Sequence, residues 1–455
     1  MPLILQELID AVLAIAVHYH PAADVSGLAQ YALVERGLYA TTTSILTHSK
    51  ALSMDKASAD GHLVLLDLWW SIAAANSSHS LDFSACAVDT ASKNAQIKIL
   101  DWWWAKHQRH QLEFKYSREA IDGASESGSV AALGWWYARH LQSGLTLRYS
   151  GRAVQIASIA GKVDVLDWWW AQYDPDAEDD EKLGFPCEGS ELMLALQTHS
   201  VPALDWWWDK SQHHGLEVPF KTAAKNAVLF ASRDGQVPTL AWWWDRHVQD
   251  GIPFTVAADC VDGASREGRT EVLDWFWARY KDDGLPFKFT SSAMDDPSSR
   301  GNISSLDWFW NKQDALASAD LKLRFTYLAL VWASGSNHIN VLRWWKERDP
   351  AKLPAKFFVV AAMDSAARNG RVDVLSWWWD MHRSDGTPFQ LTTWAVNISG
   401  RFGHLNVLQW AWDKSTTEGL QIDWPSFDVS SSTSQVQAWW YEVSSSLSDP
   451  IALVD

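Results

Sequence analysis

Apolar positions recur along this chain with a period near 33 residues, and each recurrence has the same local form: aliphatic residues, one variable residue, then a run of aromatics. The clearest copy is Val165-Leu-Asp-Trp-Trp-Trp170. Taken at the leucine before the aromatic run, the stations fall at Leu66, Leu100, Leu133, Leu166, Leu204, Leu240, Leu273, Leu306, Leu342, Leu375 and Leu408. Six of the ten intervals are 33 residues, the others are 34, 36, 36 and 38, and a degenerate twelfth station ends at Trp439 and Trp440. A fixed step of this size marks a repeat array, in which each unit buries its apolar face on its neighbours.

Each unit reads as a helical hairpin. Upstream of the station lies a short helix that stops at glycine, as in the segments from Cys260 to Gly268 and from Ala362 to Gly370, where glycine relieves the strain of a left-handed cap. Downstream, Asp-Gly-x-Pro-Phe at Asp250–Phe254, Asp283–Phe287 and Asp385–Phe389 ends the second helix and leads into the next unit. Three consecutive tryptophans on a helix sweep about 200° of its surface, so the second helix is apolar toward both its own partner and a neighbouring unit. Each buried indole removes on the order of 150–250 Å² from water, nominally ~4–6 kcal/mol before entropy. The first station position is tryptophan almost throughout, with Leu68 the exception; the second admits Phe276, Phe309 and Ala411, and the third Tyr137 and Lys346. A position that admits lysine is the wettest of the three. Basic residues just beyond it, such as Lys106, Arg139, Lys210, Arg246, Arg279 and Lys312, suit the negative helix end and are placed to lie over an indole. Asp67, Asp101, Asp167, Asp205, Asp274 and Asp307, which precede the tryptophans, are expected to keep the polar side of the second helix soluble.

Composition sharpens this picture. Of 32 tryptophans, 29 stand in the stations, which makes them core residues before anything else. The net charge of -17, with no run of Lys or Arg against it, disfavours nucleic acid and anionic membrane and favours a protein partner with a basic surface. Cys86, Cys187 and Cys260 are odd in number and far apart, which suits a reducing compartment, cytoplasm or nucleus. The sequence carries no phosphate-binding glycine loop, no His-Glu-x-x-His and no Cys-x-x-Cys. His18 with His20 and His213 with His214 lack the spacing of two ligands on one helix, so no metal, cofactor or enzymatic activity is expected. The acidic stretch from Asp174 to Glu181 coincides with the longest interval and reads as a solvated loop.

The period, the Ala-Ser-x-x-Gly turn and the Val-Leu-x-Trp-Trp-Trp helix resemble the ankyrin repeat, especially its divergent forms. Gly61-His62-Leu63 and the run Gly403-His404-Leu405-Asn406-Val407-Leu408 carry the resemblance most closely, and it covers residues 49–421. It implies an all-α, ankyrin-like helical-hairpin solenoid of about 11–12 repeats. The standard Thr-Pro-Leu-His signature is missing, and Asp55, Asp89, Asp122, Asp262, Asp295 and Asp364 stand at its histidine, with Gln155 and Asn397 in the same register. In ankyrin proteins that histidine bonds within and between repeats. The resemblance therefore gives the aspartates the same structural work. A second reading makes Asp89, Asp122, Asp262, Asp295 and Asp364 an acidic stripe that a basic partner reads.

Residues 1–48 form an N-terminal helical segment. Leu8, Val12, Leu28, Val34 and Tyr39, with Glu7, Leu13 and Asp24, resemble the helical skeleton of an F-box, which implies docking on a Skp1-like adaptor. A plain cap for the array needs a similar amphipathic pattern, as does a degenerate capping repeat over residues 422–455. The functional expectation is a non-enzymatic protein-binding scaffold, in its specific form a substrate adaptor of a ubiquitin ligase. The alternative is a glycan or small-ligand binder that uses exposed tryptophans.

Overall fold

A computed structural model describes residues 53–75, 81–173, 185, 189–348, 356–424 and 427–447. All of the regular structure in them is helical, 24 α-helices and one short 3-10 turn, with no strand among the described residues. The chain divides into two compact units, residues 1–223 and 224–455. The first holds α1 (Met54–Asp60), α2 (Leu63–Ala75), α3 (Cys86–Lys93), α4 (Ile97–His110), α5 (Glu119–Ser127), α6 (Val130–Ser143), α7 (Arg152–Ile159), α8 (Val163–Gln172), α9 (Gly189–Ala195) and α10 (Val201–His213). The division falls inside α11 (Phe220–Arg233). The second unit holds α12 (Val237–Asp250), α13 (Ala258–Arg266), α14 (Thr270–Asp283), α15 (Ser292–Arg300), α16 (Ile303–Asn311), α17 (Gln313–Ser318), α18 (Leu328–Gly335), α19 (Ile339–Arg348), α20 (Lys356–Arg368), α21 (Val372–Asp385), α22 (Thr393–Arg401), α23 (Leu405–Thr417) and α24 (Ser434–Leu447).

Short and long helices alternate as hairpins, and within each unit every hairpin packs on the next, short helix against short helix. Thus α1, α3, α5, α7 and α9 form one row of neighbours, and α13, α15, α18, α20 and α22 another. The hairpin turn is tight because of one backbone state. At Gly128 φ is +87°, and its N–H donates to Ala124 O and Ser125 O while Ser129 N–H donates to Ala124 O. This closes α5 and starts α6 two residues later. Ala95 holds the equivalent place at φ +56° with a Cβ present, so its turn carries backbone strain that the glycine turns do not.

The second station residue is the centre of each layer. Trp103, Trp136, Trp169, Trp207, Trp243, Trp378, Phe276 and Phe309 are among the largest fully buried side chains. Burying an indole also buries its N–H, which costs ~1–3 kcal/mol if no acceptor is found. The acceptor comes from the preceding hairpin. Nε1 of Trp103, Trp136, Trp169, Trp207, Trp345 and Trp378 donates to the Oγ of Ser58, Ser92, Ser125, Ser158, Ser298 and Ser334 at 2.8–3.3 Å. Ser92, Ser158 and Ser298 also donate to a backbone carbonyl, and where the station holds Phe276 or Phe309 the serine in that register, Ser232 or Ser265, keeps only this bond, to Val228 O or Ala293 O. Opposite Ala411 the register holds Ala367, with no hydroxyl left over.

Trp169→Ala is expected to lower stability by ~3–5 kcal/mol, whereas Trp169→Phe, the exchange the chain itself makes at Phe276 and Phe309, costs less than half of that. Urea unfolding followed by circular dichroism measures both. Equal losses for the two variants are incompatible with a ring-filled, serine-bridged layer.

Candidate interaction surface

The predicted aspartates come first, because the structure gives them a specific geometry. Each sits in a short helix and reaches the segment that opens the next one. Asp122 accepts from Ser150 N–H at 3.0 Å and from Ser150 Oγ at 2.6 Å, and that Oγ in turn accepts from Arg152 N–H. The same latch joins Asp55 to Ser84, Asp89 to Ser117, Asp262 to Thr290, Asp295 to Thr326 and Asp364 to Thr392. Asn397 keeps half of it, its Oδ1 accepting from Asp428 N–H at 2.7 Å. Asp89, Asp122, Asp262 and Asp295 are buried and Asp364 is half-buried. Burial pushes the carboxyls of all five above the ordinary carboxylate range, against the pull of the Ser and Thr hydrogen bonds. They are not an exposed acidic stripe: their oxygens face the neighbouring hairpin.

The aspartates before the tryptophans also do more than keep a face soluble. Asp67, Asp101, Asp167, Asp274 and Asp307 accept from Nε1 of the first-position tryptophan of the following hairpin, Trp102, Trp135, Trp206, Trp308 and Trp344, at 2.6–2.8 Å. Four residues beyond that tryptophan stands a cation. Lys106, Arg139, Lys312 and Arg348 pair with the same carboxylates at 2.9–3.9 Å. Their charges lie over the first ring, not the third: Arg139 is 5.2 Å from the Trp135 ring centre and Lys312 5.0 Å from that of Trp308. Lys106 also lies 4.5 Å from the third-position ring of the preceding hairpin, Trp70. The carboxylate decides how dry the ring is. Trp102, Trp135, Trp206, Trp308 and Trp344 are buried, while Trp168, Trp275, Trp377 and Trp410, which follow Gly134, Ala241, Arg343 and Ser376, are half-exposed. The Nε1 of Trp410 is buried with no acceptor.

One recurring group escaped the search for histidine pairs. His107, His140, His247 and His382 stand three residues after the third station position, and each Nδ1 lies 2.8–3.0 Å from the carbonyl oxygen five residues on. Nδ1 must carry the proton to donate there, which fixes the connector leaving the long helix. The sequence signal was the spacing from tryptophan to histidine rather than from histidine to histidine.

Little in the described residues suits covalent chemistry. No group of three or more His, Cys, Asp or Glu among them is placed to hold a metal ion. Burial pushes the Cys260 thiol up to about 11, the opposite of an activated nucleophile. An open cleft of about 420 Å³ lies over Lys93, Asn94, Ala95, Ser127, Gly128 and Ser129. What the surface does offer is aromatic. Tyr327, Trp332, Trp394 and Phe402 are exposed on or beside the short helices α18 and α22. Trp332 and Trp394 stand outside the stations; the third such tryptophan, Trp424, is buried and donates to Ser415 Oγ. The proposed adaptor-docking residues Leu8, Val12, Leu28, Val34 and Tyr39, the acidic stretch 174–181 and Cys187 lie outside the described residues.

Two predictions test these roles. Ser376→Asp supplies the missing acceptor to Trp410, with Lys414 already four residues beyond it, and should raise stability by ~1 kcal/mol; Asp101→Ala, which removes an acceptor, should lower it by ~1–2 kcal/mol, both read by thermal melting. For the latch, the sign follows from the raised carboxyl of Asp122. Between the ordinary value of 3.8 and its folded value, the native state holds a proton that the unfolded chain releases. Its contribution to stability therefore rises as pH falls from neutral through the folded value and levels off below 3.8. Melting temperatures at pH 7 and near pH 4 should shift in favour of the natural chain relative to Asp122→Asn, and a constant difference would contradict the latch as a buried charge. Neither a family model nor a curated protein matches the sequence, so the roles of these residues rest on their geometry.

Proposed function

We propose that the chain is a non-enzymatic protein-binding scaffold, an ankyrin-like stack of helical hairpins that presents its short helices to a partner. The carrying observation is where the large apolar residues go. Most station rings pack between hairpins, whereas four of the five exposed aromatics among the described residues, Tyr327, Trp332, Trp394 and Phe402, gather on the short-helix side of the second unit, the fifth being Tyr441 on α24. Exposed aromatics beside arginine are what protein interfaces use as anchors. The ankyrin reading draws further support from the 33-residue period and from the latch, in which aspartate does the bridging that histidine does in ankyrin proteins. The net charge of -17 steers the chain toward partners whose overall surface is basic.

In the specific form of this proposal, residues 1–48 dock a Skp1-like adaptor through Leu8, Val12, Leu28, Val34 and Tyr39, and the hairpins hold a substrate for ubiquitination. Co-purification of the full chain with such an adaptor, lost on deletion of residues 1–48, is the expected result. Absence of the adaptor from the full-chain sample removes the ligase version. Failure of the immobilised full chain to retain any protein from a cell extract removes the scaffold itself. A glycan-binding reading draws on Trp332 and Trp394, and is favoured only if sugars quench fluorescence in the natural chain and not in the Trp332→Ala/Trp394→Ala variant.

A further inference from the structure

The short helices α18, α20 and α22 pack side by side, and equivalent turns of the three present different residues to solvent. On α22, Trp394, Ile398, Arg401 and Phe402 recur at i, i+4, i+7 and i+8 and so form one face, with Trp394 and Phe402 each about half exposed. On α18 the equivalent turn carries Trp332, also exposed. Between them α20 offers only Ala361 and Ser365 in that register, ending in the exposed Arg368. Large side chains on the outer two helices and small ones on the middle helix make a groove. The corresponding positions in most other hairpins are small or polar, Thr90, Gly123, Gly263 and Asp296, with Ile156 on α7 and Phe230 on α11 the exceptions.

The charge of this groove is unlike that of the chain around it. At the ends of several other short helices the cations have carboxylate partners: Lys93 pairs with Glu126, Arg152 with Glu119, and Arg266 and Arg300 with Glu267. Arg368 has only the Phe402 ring, 5.9 Å away, and Arg401 has no partner among the described residues. Arg371 donates to Gly335 O and to no carboxylate. From Gln390 to Trp412 the sequence contains no acidic residue. Asp364 is latched to Thr392 and Asp428 accepts from Ser430, and Asp373, two residues after Arg371, is exposed at the start of α21. In a chain of net charge -17 this is a local positive patch around exposed rings.

We infer that the groove over α18, α20 and α22 binds an acidic peptide segment of a partner protein that carries two bulky apolar anchors. The inference rests on the protein-binding reading and deepens it. Bulk charge governs approach at long range, but beyond about 8–10 Å it is screened at physiological salt, so contact chemistry is set by Arg368, Arg371 and Arg401. Guanidinium groups bind carboxylates in a fork that lysine does not offer. Two packed helices at ~10 Å each separate Trp332 from Trp394 by roughly 20 Å, which an extended peptide covers in about six residues. The anchors are therefore expected about six residues apart, with Asp or Glu between or beside them.

The experiment pans a display library of random peptides, each about twelve residues long, on the immobilised full chain. Enrichment of sequences with two aromatic or large aliphatic residues about six apart and at least two acids is the expected result. Affinity of an enriched peptide should fall on the order of tenfold or more in Trp332→Ala/Trp394→Ala and in Arg368→Gln/Arg401→Gln, and stay unchanged in Arg118→Gln, whose arginine lies beside α5. Circular dichroism checks that each variant retains its fold. Enrichment of basic peptides, or of none, overturns the inference, as does undiminished binding to both double variants. Self-association lost in the same variants assigns the groove to a second copy, and tighter binding of a single-stranded oligonucleotide than of acidic peptide assigns it to nucleic acid; either result also overturns it. Peptides that bind independently of the variants leave the scaffold reading standing and remove only this groove.

Discussion

An indole placed in a dry interior brings with it a donor that has to be met, and this protein meets it across hairpins rather than within them. The second-position tryptophans reach a serine of the preceding short helix, and first-position tryptophans reach an aspartate of the preceding long helix. Each hairpin therefore supplies the acceptors for the next. Apolar burial alone is indifferent to register, because a ring packs against any apolar neighbour. Where both are made, as at Trp135 and Trp136, two directional bonds in one layer remove that freedom, and a slip of one residue leaves both donors without partners. The Asp-to-Ser/Thr latch adds a third bond on the short-helix side, where the backbone N–H that opens the next helix is itself the donor.

The three bonds differ in how they tolerate loss. Phe276 and Phe309 replace the serine-bonded indole without an orphan, because a phenyl ring brings no donor and the serine hydroxyl keeps a backbone carbonyl, as it does at Ser92 and Ser158. Removing the aspartate is not neutral in the same way: Trp410 is left with an unmet Nε1, and the rings at such positions are wetter. A carboxylate also holds the cation four residues past the ring, so its loss removes an ion pair and a neighbouring charge over the π face together. The layers joined by Asp101 and Asp307 are thus more tightly specified than those at Gly134, Arg343 and Ser376, although the apolar pattern along the chain is nearly the same in both.

The helical hairpins were legible in the sequence because their signal is period and punctuation: the leucine step, the tryptophan run and the glycine that takes positive φ at Gly128. The partners of the carboxylates were not. Asp101 reads as a solubilising residue because it follows a buried leucine at an outward angle on its own helix; only the position of the next helix, set by packing, brings Trp135 and Arg139 to it. The register of Asp122 with the ankyrin histidine gives it a bridging role, but nothing in its own repeat reveals that the partner is Ser150, 28 residues on. Long-range partners of this kind leave one trace, covariation between units, visible here as Ala367 opposite Ala411 and as aspartate in one unit with a buried tryptophan in the next. The third station position was expected to be the wettest, and Trp70, Trp104, Trp170, Trp208, Trp244, Trp310 and Trp412 are half-exposed there, with Trp277 and Trp379 buried. The most exposed tryptophans, Trp332 and Trp394, stand outside the stations, where the period gives no signal for them.

The layer that follows α22 and α23 is built differently, a 3-10 turn (Val429–Ser431) and α24 standing where a short and a long helix stand elsewhere. The short helix α22 ends in Ser399-Gly400 where most others have Ala-Ser, and the chain crosses Gly400 closely enough that a Cβ there would meet Ser432 and Phe427. Thr433 N–H donates to Gly400 O, so the backbone itself takes the place of the serine-to-indole bond. Beyond it Trp412, Trp424, Phe427 and Trp440 gather ring against ring, with centres 4.9–6.4 Å apart. These contacts are edge-on or tilted, geometries that need no hydrogen-bond partner and tolerate an irregular neighbour. Register enforced by directional bonds in the earlier layers thus gives way to aromatic clustering around α23 and α24, because α22 carries Gly400 in the serine's register and has no hydroxyl there to meet an indole.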